Sequence, residues 1–214
     1  MKTIALFGGT GFVGDRIKDK LLESKYRIRM LVRDADYARD LKLAGAIETV
    51  KGSIDDAAAV MATLENCDAC IVATGARSKS LADMDAIVTG TQYIIRAMHA
   101  QQVKRLIKLS GVSVRIAGEP FPLPRRLLDI GLKLAMPNPS KSKYLEQDLI
   151  EASGLDWTVV RPPVVVLDAI NKTFATHENQ YLGLKVNRDD LSGFIIEQIE
   201  SDQWLRKSPI VGYR

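Results

Sequence analysis

Four glycines between residues 8 and 14 are the residues whose spacing points most directly to chemistry. They stand in the segment Gly-Gly-Thr-Gly-Phe-Val-Gly, between an apolar stretch (residues 3–7) and an amphipathic stretch with Ile17, Leu21 and Leu22 at helical spacing. A glycine turn between a strand and a helix lets the backbone approach a pyrophosphate closely. The N-terminus of the helix then offers free N–H groups to the anion. The segment therefore predicts a dinucleotide-binding site.

The end of the second apolar strand is expected to select between the two nicotinamide dinucleotides. An acidic residue there hydrogen-bonds both ribose hydroxyls and favours NAD, whereas a guanidinium pairs with a 2′-phosphate. Arg33 stands at this place and Asp34 follows it, so NADPH is predicted over NADH. Two alternatives are an ordinary surface arginine and an Asp34 side chain that turns inward.

Small residues follow the next two strands along the chain. Ser53 and Ile54 stand where the chain turns after the third strand and would flank an adenine ring. Ala73, Thr74 and Gly75 follow the fourth strand, where small side chains let the backbone pass close to a ribose and pyrophosphate. Packing alone is an equally good reason for small residues at this second place.

The cysteines and histidines are predicted to have no role in metal or redox chemistry. Cys67 and Cys70 have CxxC spacing but lead into a strand rather than a helix, so two ordinary thiols are favoured over a redox pair. His99 is expected at a helix end and His177 in a polar loop without a partner motif. No metal site is predicted.

Strand-length apolar runs alternate with helical patterns along the whole chain. Such alternation predicts one α/β domain, residues 1–214, with a Rossmann-type doubly wound parallel sheet and helices on both faces. Ligands bind such sheets beyond the carboxyl ends of the strands. The predicted strands are 3–8, 27–33, 46–51, 69–74, 105–110, 157–161 and 209–213, and the predicted helices are 12–24, 37–44, 57–64, 84–100, 141–152 and 189–200.

A proline-rich region interrupts the alternation. Prolines at 120, 122 and 124 precede an apolar-patterned segment, residues 125–135, and prolines at 137 and 139 follow it. We expect a short helix bounded by these prolines. Residues 115–140 and 164–188 are predicted to form a small cover on the substrate side, and a surface insertion is an equally good interpretation of the first segment.

Composition excludes several classes of protein. Of the 214 residues, 46% are hydrophobic and 26% are charged, as in globular domains. No apolar run approaches the roughly 20 residues of a membrane span. We expect no secretory signal, because the first predicted strand begins at residue 3. The net charge of +4 is spread without a dense basic run, so nucleic acid is not an expected partner. We expect a cytoplasmic monomer or homodimer that acts on a small molecule.

Five segments together resemble the atypical short-chain dehydrogenase/reductase superfamily, in its NAD(P)H-binding group with flavin/biliverdin-IXβ reductase-like and NmrA-like proteins. They are the glycine turn (8–14), Leu-Val-Arg-Asp (31–34), Ala-Thr-Gly-Ala (73–76), Leu-Ser (109–110) and Ser-Gly-Leu-Asp-Trp-Thr-Val-Val-Arg-Pro-Pro (153–163). The last is the longest and most diagnostic. The resemblance extends from residue 2 to about residue 212.

The resemblance implies a role for each matching residue. The pyrophosphate would lie on the glycine turn, the 2′-phosphate on Arg33, the adenine between Ser53 and Ile54, and the adjoining ribose on the 73–75 segment. The nicotinamide would lie along the segment that follows the sixth strand. The implied cofactor residues are Gly8, Thr10, Gly11, Phe12, Val13, Gly14, Arg33, Ser53, Ile54, Ala73, Thr74, Gly75, Ser110, Lys143, Pro162, Pro163 and Val164.

The catalytic set that the resemblance implies lacks one member. Typical relatives use Ser, Tyr and Lys, with Tyr four residues before Lys as the proton donor. Ser110 and Lys143 match the serine and lysine, but Pro139 stands at the tyrosine place, and Tyr144 would project about 100° from Lys143 on a helix.

The missing acid favours an electron-poor acceptor that takes its proton from solvent over reduction of a sugar or alcohol carbonyl. We therefore expect an NADPH-dependent reductase of a flavin-, quinone- or bilin-type acceptor. The alternative is a non-catalytic NADP(H)-binding sensor or regulatory protein of NmrA-like type. RNA association is a third and weaker interpretation.

Overall fold

A six-stranded parallel sheet forms the centre of the molecule. The computed structural model describes residues 1–34, 45–75, 80–114, 130 and 137–214, with side chains described from residue 142 onward in the last range. The strands are β1 (Thr3–Phe7), β2 (Arg27–Val32), β3 (Ile47–Lys51), β4 (Ala69–Val72), β5 (Arg105–Leu109) and β6 (Asp156–Val160). Their order is β3-β2-β1-β4-β5-β6, and every pairing is parallel. The order reverses beside β1, which confirms the predicted doubly wound sheet.

Helices cover both faces of this sheet. They are α1 (Phe12–Glu23), α2 (Ala57–Leu64), α3 (Leu81–Ala100), α4 (Pro137–Glu151) and α5 (Arg188–Glu197). Successive strand side chains point to opposite faces, so Ile4 of β1 packs in the cluster with α1 and α5, whereas Phe7 packs in the cluster with α2, α3 and α4. No helix within the described ranges is long and apolar enough to cross a bilayer.

The start of α4 differs from the sequence-based expectation. The helix begins at Pro137 and includes Pro139, whereas the expected start was residue 141. A proline in the first turn costs little, because the N–H that it lacks has no partner within the helix. The predicted helices 37–44 and 125–135, and most of the predicted cover at 115–140, lie outside the described residues.

Short strands after β6 were not predicted, apart from the last one in the chain. β7 (Val164–Val166) pairs in parallel with β9 (Lys185–Asn187), and β8 (Phe174–His177) pairs antiparallel with β10 (Ile210–Tyr213). An isolated bridge between Arg161 and Ile210 joins β10 to the end of β6. The predicted cover segment 164–188 therefore contains the β7–β9 pair and β8, whose partner β10 follows later in the chain.

Candidate cofactor and reaction site

Two glycines bring the turn after β1 into direct contact with its neighbours. Gly8 has a φ of +84°, a conformation that favours glycine. A Cβ atom at Gly8 would lie 2.7 Å from the carbonyl carbon of Ala73, and a Cβ atom at Gly14 would overlap the carbonyl oxygen of Gly8. The turn closes through a 3.0 Å hydrogen bond from the N–H of Gly11 to that same oxygen. Larger residues at positions 8 and 14 would force the strand end and the helix start apart.

The N-terminus of α1 points its amide groups out of the helix. The N–H of Asp15 donates to the carbonyl of Gly11 at 2.8 Å, so the amides of residues 12–14 precede the first intrahelical bond. Gly11 provides no side-chain cap, whereas Asp56, Ser80 and Asn187 cap α2, α3 and α5. Free amides and the positive end of the helix dipole together favour an anion at this place.

A cleft of about 350 Å³ lies over the carboxyl ends of the first four strands. Side chains at the start of α3, at Asp83, Ala86 and Ile87, form a wall that sequence analysis did not assign. The only sequence signal for that wall was the start of the fourth predicted helix. The predicted cofactor residues that line the cleft are Gly8, Thr10, Gly11, Arg33, Ser53, Ile54, Ala73, Thr74 and Gly75.

Arg33 lies at the rim of this cleft. It directly follows β2, its side chain is exposed, and it lines the cleft together with Ser53 from the neighbouring strand end. Asp34 is also exposed but does not belong to the lining of this cleft. The arrangement is the one expected if the guanidinium, rather than the carboxylate, meets the ribose of the cofactor.

Thr74 provides a test of whether the cleft fits a polar ligand. Its Oγ1 atom is buried and has no hydrogen-bond partner among the described residues. A buried hydroxyl without a partner is costly, so such groups are normally satisfied by protein, water or ligand. No atom of the described residues lies within 4 Å of a Cβ added to the neighbouring Gly75. A ribose or phosphate oxygen would satisfy the Thr74 hydroxyl, and the residues present thus fit a dinucleotide.

A second cleft of about 130 Å³ continues from the first over the ends of β4 and β5. Ala73, Thr74, Gly75 and Ile87 line both clefts. Ser110, whose backbone N–H bonds the carbonyl of Val160 at 2.9 Å, forms the far wall together with residues of α4. The remaining lining residues are Leu109, Ser142, Lys143 and Glu146. The structure therefore brings the two predicted catalytic residues, Ser110 and Lys143, to one cleft.

Lys143 stands beside the backbone that follows Ser110. A Cβ atom added to Gly111 would lie 2.9 Å from the Lys143 Nζ atom. Burial lowers the pKa of Lys143 from its usual value, the nearby Lys108 lowers it further, and Glu146 opposes both effects. The lowered pKa makes the ammonium a better proton donor near neutral pH than an exposed lysine.

A buried ion pair lies beneath this cleft. Lys108 Nζ in β5 lies 2.6 Å from Glu146 Oε1 in α4, and the two side chains are only 4% and 7% exposed. The hydroxyl of Thr91 in α3 donates to the same carboxylate oxygen at 2.9 Å. Sequence analysis assigned none of these three residues, because a single charge within an apolar strand or helix does not reveal its partner.

No tyrosine of the described residues belongs to the lining of the second cleft. Pro139 lies in the first turn of α4, four residues before Lys143. The hydroxyl of Tyr144 donates to the carbonyl of Ser113 at 3.2 Å, and Tyr144 does not belong to the cleft lining. Among the described residues of the lining, Lys143 is the titratable group whose pKa burial shifts toward neutral pH.

Several predicted cofactor residues do not line either of the two described clefts. Phe12, Val13 and Gly14 form the first turn of α1, where their backbone amides rather than their side chains face the site. Pro162 and Pro163 are buried directly after β6, and Val164 begins β7 with an exposed side chain. The carbonyl of Pro162 accepts a hydrogen bond from the N–H of Val112 at 2.9 Å, which places this segment beside the chain that follows β5.

Arg161, at the end of β6, has a structural role that sequence analysis did not foresee. Its side chain is fully buried. The guanidinium donates to the carbonyls of Ser208, Val114 and Glu178 at 2.7, 3.0 and 2.9 Å. One side chain thereby joins three loops, namely the loop before β10, the loop after β5 and the loop after β8. The position beside two prolines marked the segment as functional but did not predict a buried guanidinium.

The cysteines have the character of structural thiols. Cys70 is fully buried in β4 and Cys67 precedes it, both as free thiols. Burial raises the pKa of Cys67 to about 12 and that of Cys70 well above its usual value. His99 lies in the last turn of α3, 2.9 Å from the carbonyl of Ser153, and the His177 ring accepts from the backbone of Asn179. The described residues contain no cluster of metal ligands.

Curated proteins with similar sequences include two reductases. The chain is 25% identical over 167 residues to 4-hydroxy-2-methyl-3-oxo-4-farnesyl-3,4-dihydroquinoline-1-oxide ketoreductase of Stigmatella aurantiaca, covering 72% of this chain and 48% of that protein. It is 26% identical to NAD(P)H azoreductase of Xenophilus azovorans, covering 74% and 47%. The chain thus spans about half the length of these two relatives. An uncharacterized sugar epimerase of Bacillus subtilis is 24% identical, with 92% and 87% covered.

Solved structures share the complete fold at low sequence identity. ChuY, an anaerobillin reductase from Escherichia coli O157:H7, superimposes with a TM-score of 0.82 at 19% identity, over 99% of this chain and 97% of that chain. A short-chain dehydrogenase/reductase from Veillonella parvula in complex with NADP has a TM-score of 0.77 at 19% identity, over 99% and 94%. A family model described as NAD(P)H-binding matches residues 8–202, from the glycine turn to the loop before β10. The chain therefore belongs to the NAD(P)H-binding family, which confirms the predicted resemblance, and its strand order is that of the predicted doubly wound Rossmann sheet.

Proposed function

We propose that this protein is an NADPH-dependent reductase that transfers a hydride to a small conjugated acceptor of flavin, quinone or bilin type. The observation that carries the proposal is the continuity of the two clefts through Ala73, Thr74 and Gly75. One cleft has the features of a dinucleotide site, and Ser110 and Lys143 line the other, into which the reactive end of that dinucleotide would extend. A nicotinamide cofactor bound along both clefts supplies the hydride.

The adenine half of the cofactor would bind in the larger cleft. The amides at the start of α1 and the turn at Gly8 would hold the pyrophosphate, and Ser53 and Ile54 would border the adenine. Arg33 at the rim would pair with the 2′-phosphate, which favours NADPH over NADH. The hydroxyl of Thr74 would gain the hydrogen-bond partner that the described residues do not provide.

The nicotinamide half would lie toward Ser110, with the segment Pro162 to Val164 along its other side. Ser110 and Lys143 would position the acceptor or the ribose by hydrogen bonds. Because Pro139 stands at the usual tyrosine place, reduction of an isolated alcohol-type carbonyl lacks its usual acid. A conjugated acceptor delocalises the incoming electron pair, so it needs less help from an acid. The azoreductase and the anaerobillin reductase among the similar proteins support this choice.

Steady-state oxidation of NADPH, followed at 340 nm, tests the proposal. The acceptors are FMN, menadione, methyl red and biliverdin, and NADH replaces NADPH in a parallel series. Turnover with at least one acceptor, faster with NADPH at subsaturating cofactor, is the expected result. Tight NADPH binding without turnover on any acceptor would overturn the reductase proposal and would favour the regulatory alternative, for which Pro139 is the supporting feature.

A further inference from the structure

The buried pair Lys108–Glu146 lies directly beneath the cleft assigned to the reaction. Its 2.6 Å separation and exposed fractions of 4% and 7% show that water scarcely reaches either charge. Glu146 also lines the cleft, and the hydroxyl of Thr91 donates to its Oε1 atom. Three elements, β5, α3 and α4, therefore meet at one carboxylate.

A pair of this kind is a weak source of stability. Removing two charges from water costs about as much as their attraction returns, and well-packed apolar residues often replace such pairs without loss. The core around it is otherwise built from aliphatic and aromatic side chains such as Ile94 and Trp157. Glu146 lies one helical turn after Lys143 on α4, so the buried pair is close enough to influence the charge of Lys143 in the cleft.

We propose that Lys143 is the proton donor of the reaction, in place of the missing tyrosine, and that Lys108 and Glu146 are positioning residues that set its protonation. This inference rests on the reductase function proposed above. Glu146 pairs directly with Lys108 and acts on Lys143 as a nearby charge. Two ammonium groups and one carboxylate give the site a net positive charge when Lys143 is protonated. Such a charge stabilises the electron pair that arrives on the acceptor.

The proposed step balances in protons and electrons. The acceptor gains a hydride from the reduced cofactor and a proton from the Lys143 ammonium, which breaks one N–H bond and forms one bond to hydrogen on the acceptor. The cofactor is oxidised by two electrons and the acceptor is reduced by two. The neutral amine of Lys143 then regains a proton from water that enters the open cleft.

Within the described part of the chain, charged and polar groups from several elements surround Lys143. Lys108 faces it from β5 and Glu146 from its own helix, with Thr91 of α3 bonded to that carboxylate. Gly111, and the hydroxyl of Ser113 near it, lie on the segment after β5. Lys108 and Glu146 therefore act on the Lys143 proton with opposite signs, because one is a cation and the other an anion.

Because Lys108 and Glu146 should shift the pKa of Lys143 in opposite directions, a variant of each residue tests the proposal. In Lys108→Met the pKa of Lys143 should rise, and in Glu146→Gln it should fall. The double variant Lys108→Met with Glu146→Leu should return the pKa toward the wild-type value. Glu151→Gln, at the exposed end of the same helix, is the matched control and should leave it unchanged. The pKa is measured without cofactor, from the pH dependence of acetic anhydride labelling of Lys143, read by peptide mass spectrometry.

A kinetic series with NADPH and menadione completes the test. The alkaline limb of the kcat profile should move upward in Lys108→Met and downward in Glu146→Gln, in step with the labelling. Lys143→Arg retains the positive charge but does not release a proton in the working pH range, so kcat should fall about 10²- to 10⁴-fold and that limb should disappear. NADPH binding, measured by its fluorescence, shows whether the variant site is still formed.

The outcomes separate the two proposals. Lys143→Arg with wild-type kcat and pH profile, or labelling shifts of the same sign in both single variants, would overturn the proton-donor assignment and leave the reductase function intact. Absence of turnover by the wild-type protein would overturn the reductase function and the proton transfer with it. If one single variant does not fold, the sign of the pKa shift in the other single variant still tests the link between the pair and Lys143, because each variant has its own expected direction.

Discussion

The hydroxyl of Tyr213 donates a 2.5 Å hydrogen bond to the carboxylate of Asp190 and accepts a 3.0 Å bond from the N–H of Asn187. Asn187 caps α5 through its own side chain, so one phenol joins β10 to the start of that helix. The ring of Tyr213 also packs edge-on against Phe174, with centroids 5.9 Å apart. Together these contacts of Tyr213 join the β8–β10 pair to the start of α5.

Tyr213→Phe tests that connection. Burial and the neighbouring Asp190 raise the pKa of Tyr213 to about 12, whereas an unfolded tyrosine titrates near 10. The folded state thus retains the proton more tightly, so the contribution of Tyr213 to stability is complete below pH 10 and is lost as the pH rises toward 12. The variant should be less stable by about 1–3 kcal/mol at pH 7, because a hydrogen bond to a charged group is lost. Urea unfolding at pH 7 and pH 11 measures both effects, and a variant whose deficit is equal at both would contradict the assignment.

Arg33→Asp should change the choice of cofactor. Loss of a guanidinium–phosphate contact costs about 1.5–3 kcal/mol, or roughly 10- to 100-fold in Kd. NADPH binding should therefore weaken by that factor, while NADH binding changes little. Lys104→Asp makes the same change of charge just before β5, at the amino ends of the strands and away from the cleft, and should leave both constants unchanged. Fluorescence titration measures the constants, and equal losses for both cofactors in Arg33→Asp would mean that another residue holds the 2′-phosphate.

Gly14→Ala should abolish cofactor binding through backbone crowding. The added methyl group would overlap the carbonyl oxygen of Gly8, and backbone atoms have little freedom to move away. Gly193→Ala in α5 is the matched control, because its new Cβ meets nothing closer than Lys20 at 3.9 Å and alanine is the better helix former by about 1 kcal/mol. The control should melt at or above the wild-type temperature and bind NADPH normally. A Gly14→Ala protein with wild-type affinity would show that the turn does not cradle the pyrophosphate.

The two cysteines should react slowly in the folded protein. The thiolate is the reactive species, and at pH 8 Cys67 with a pKa of about 12 is almost entirely protonated. Cys70 is in addition shielded from solvent in β4. Ellman's reagent at pH 8 should label both thiols at once in urea and neither within minutes in buffer. Rapid native labelling, or an intramolecular disulfide after mild oxidation, would support the redox interpretation of the CxxC spacing.

The main sheet was predictable because each of its strands carries its own signal. Val72 and Ile107, for example, belong to continuous apolar runs of the kind that strands buried on both faces require. β7, β8 and β9 are three or four residues long and only partly buried, so no period appears in the sequence. The pairing partner of β8 follows some thirty residues later, and only the tertiary fold decides that pairing.

The candidate site likewise has features that the local sequence predicts and features that depend on contacts between distant parts of the chain. The larger cleft depends on backbone conformation at Gly8 and on strand ends, both of which the local sequence reports. The Lys108–Glu146 pair depends on two elements that meet from a distance along the chain, so the residue types alone could not reveal it. Arg161 is the same case: its partners are carbonyl groups, and every residue has a carbonyl.

The uncapped N-terminus of α1 links ligand binding to folding. Three other helices satisfy their first amides with their own side chains, whereas α1 leaves that task to an external anion. A ligand that binds only the folded chain adds RT ln(1 + [L]/Kd) to its stability, about 2.7 kcal/mol at a hundredfold excess over Kd. The relative amounts of the oxidised, reduced and 2′-phosphorylated dinucleotides would then affect the lifetime of the folded protein as well as its reaction.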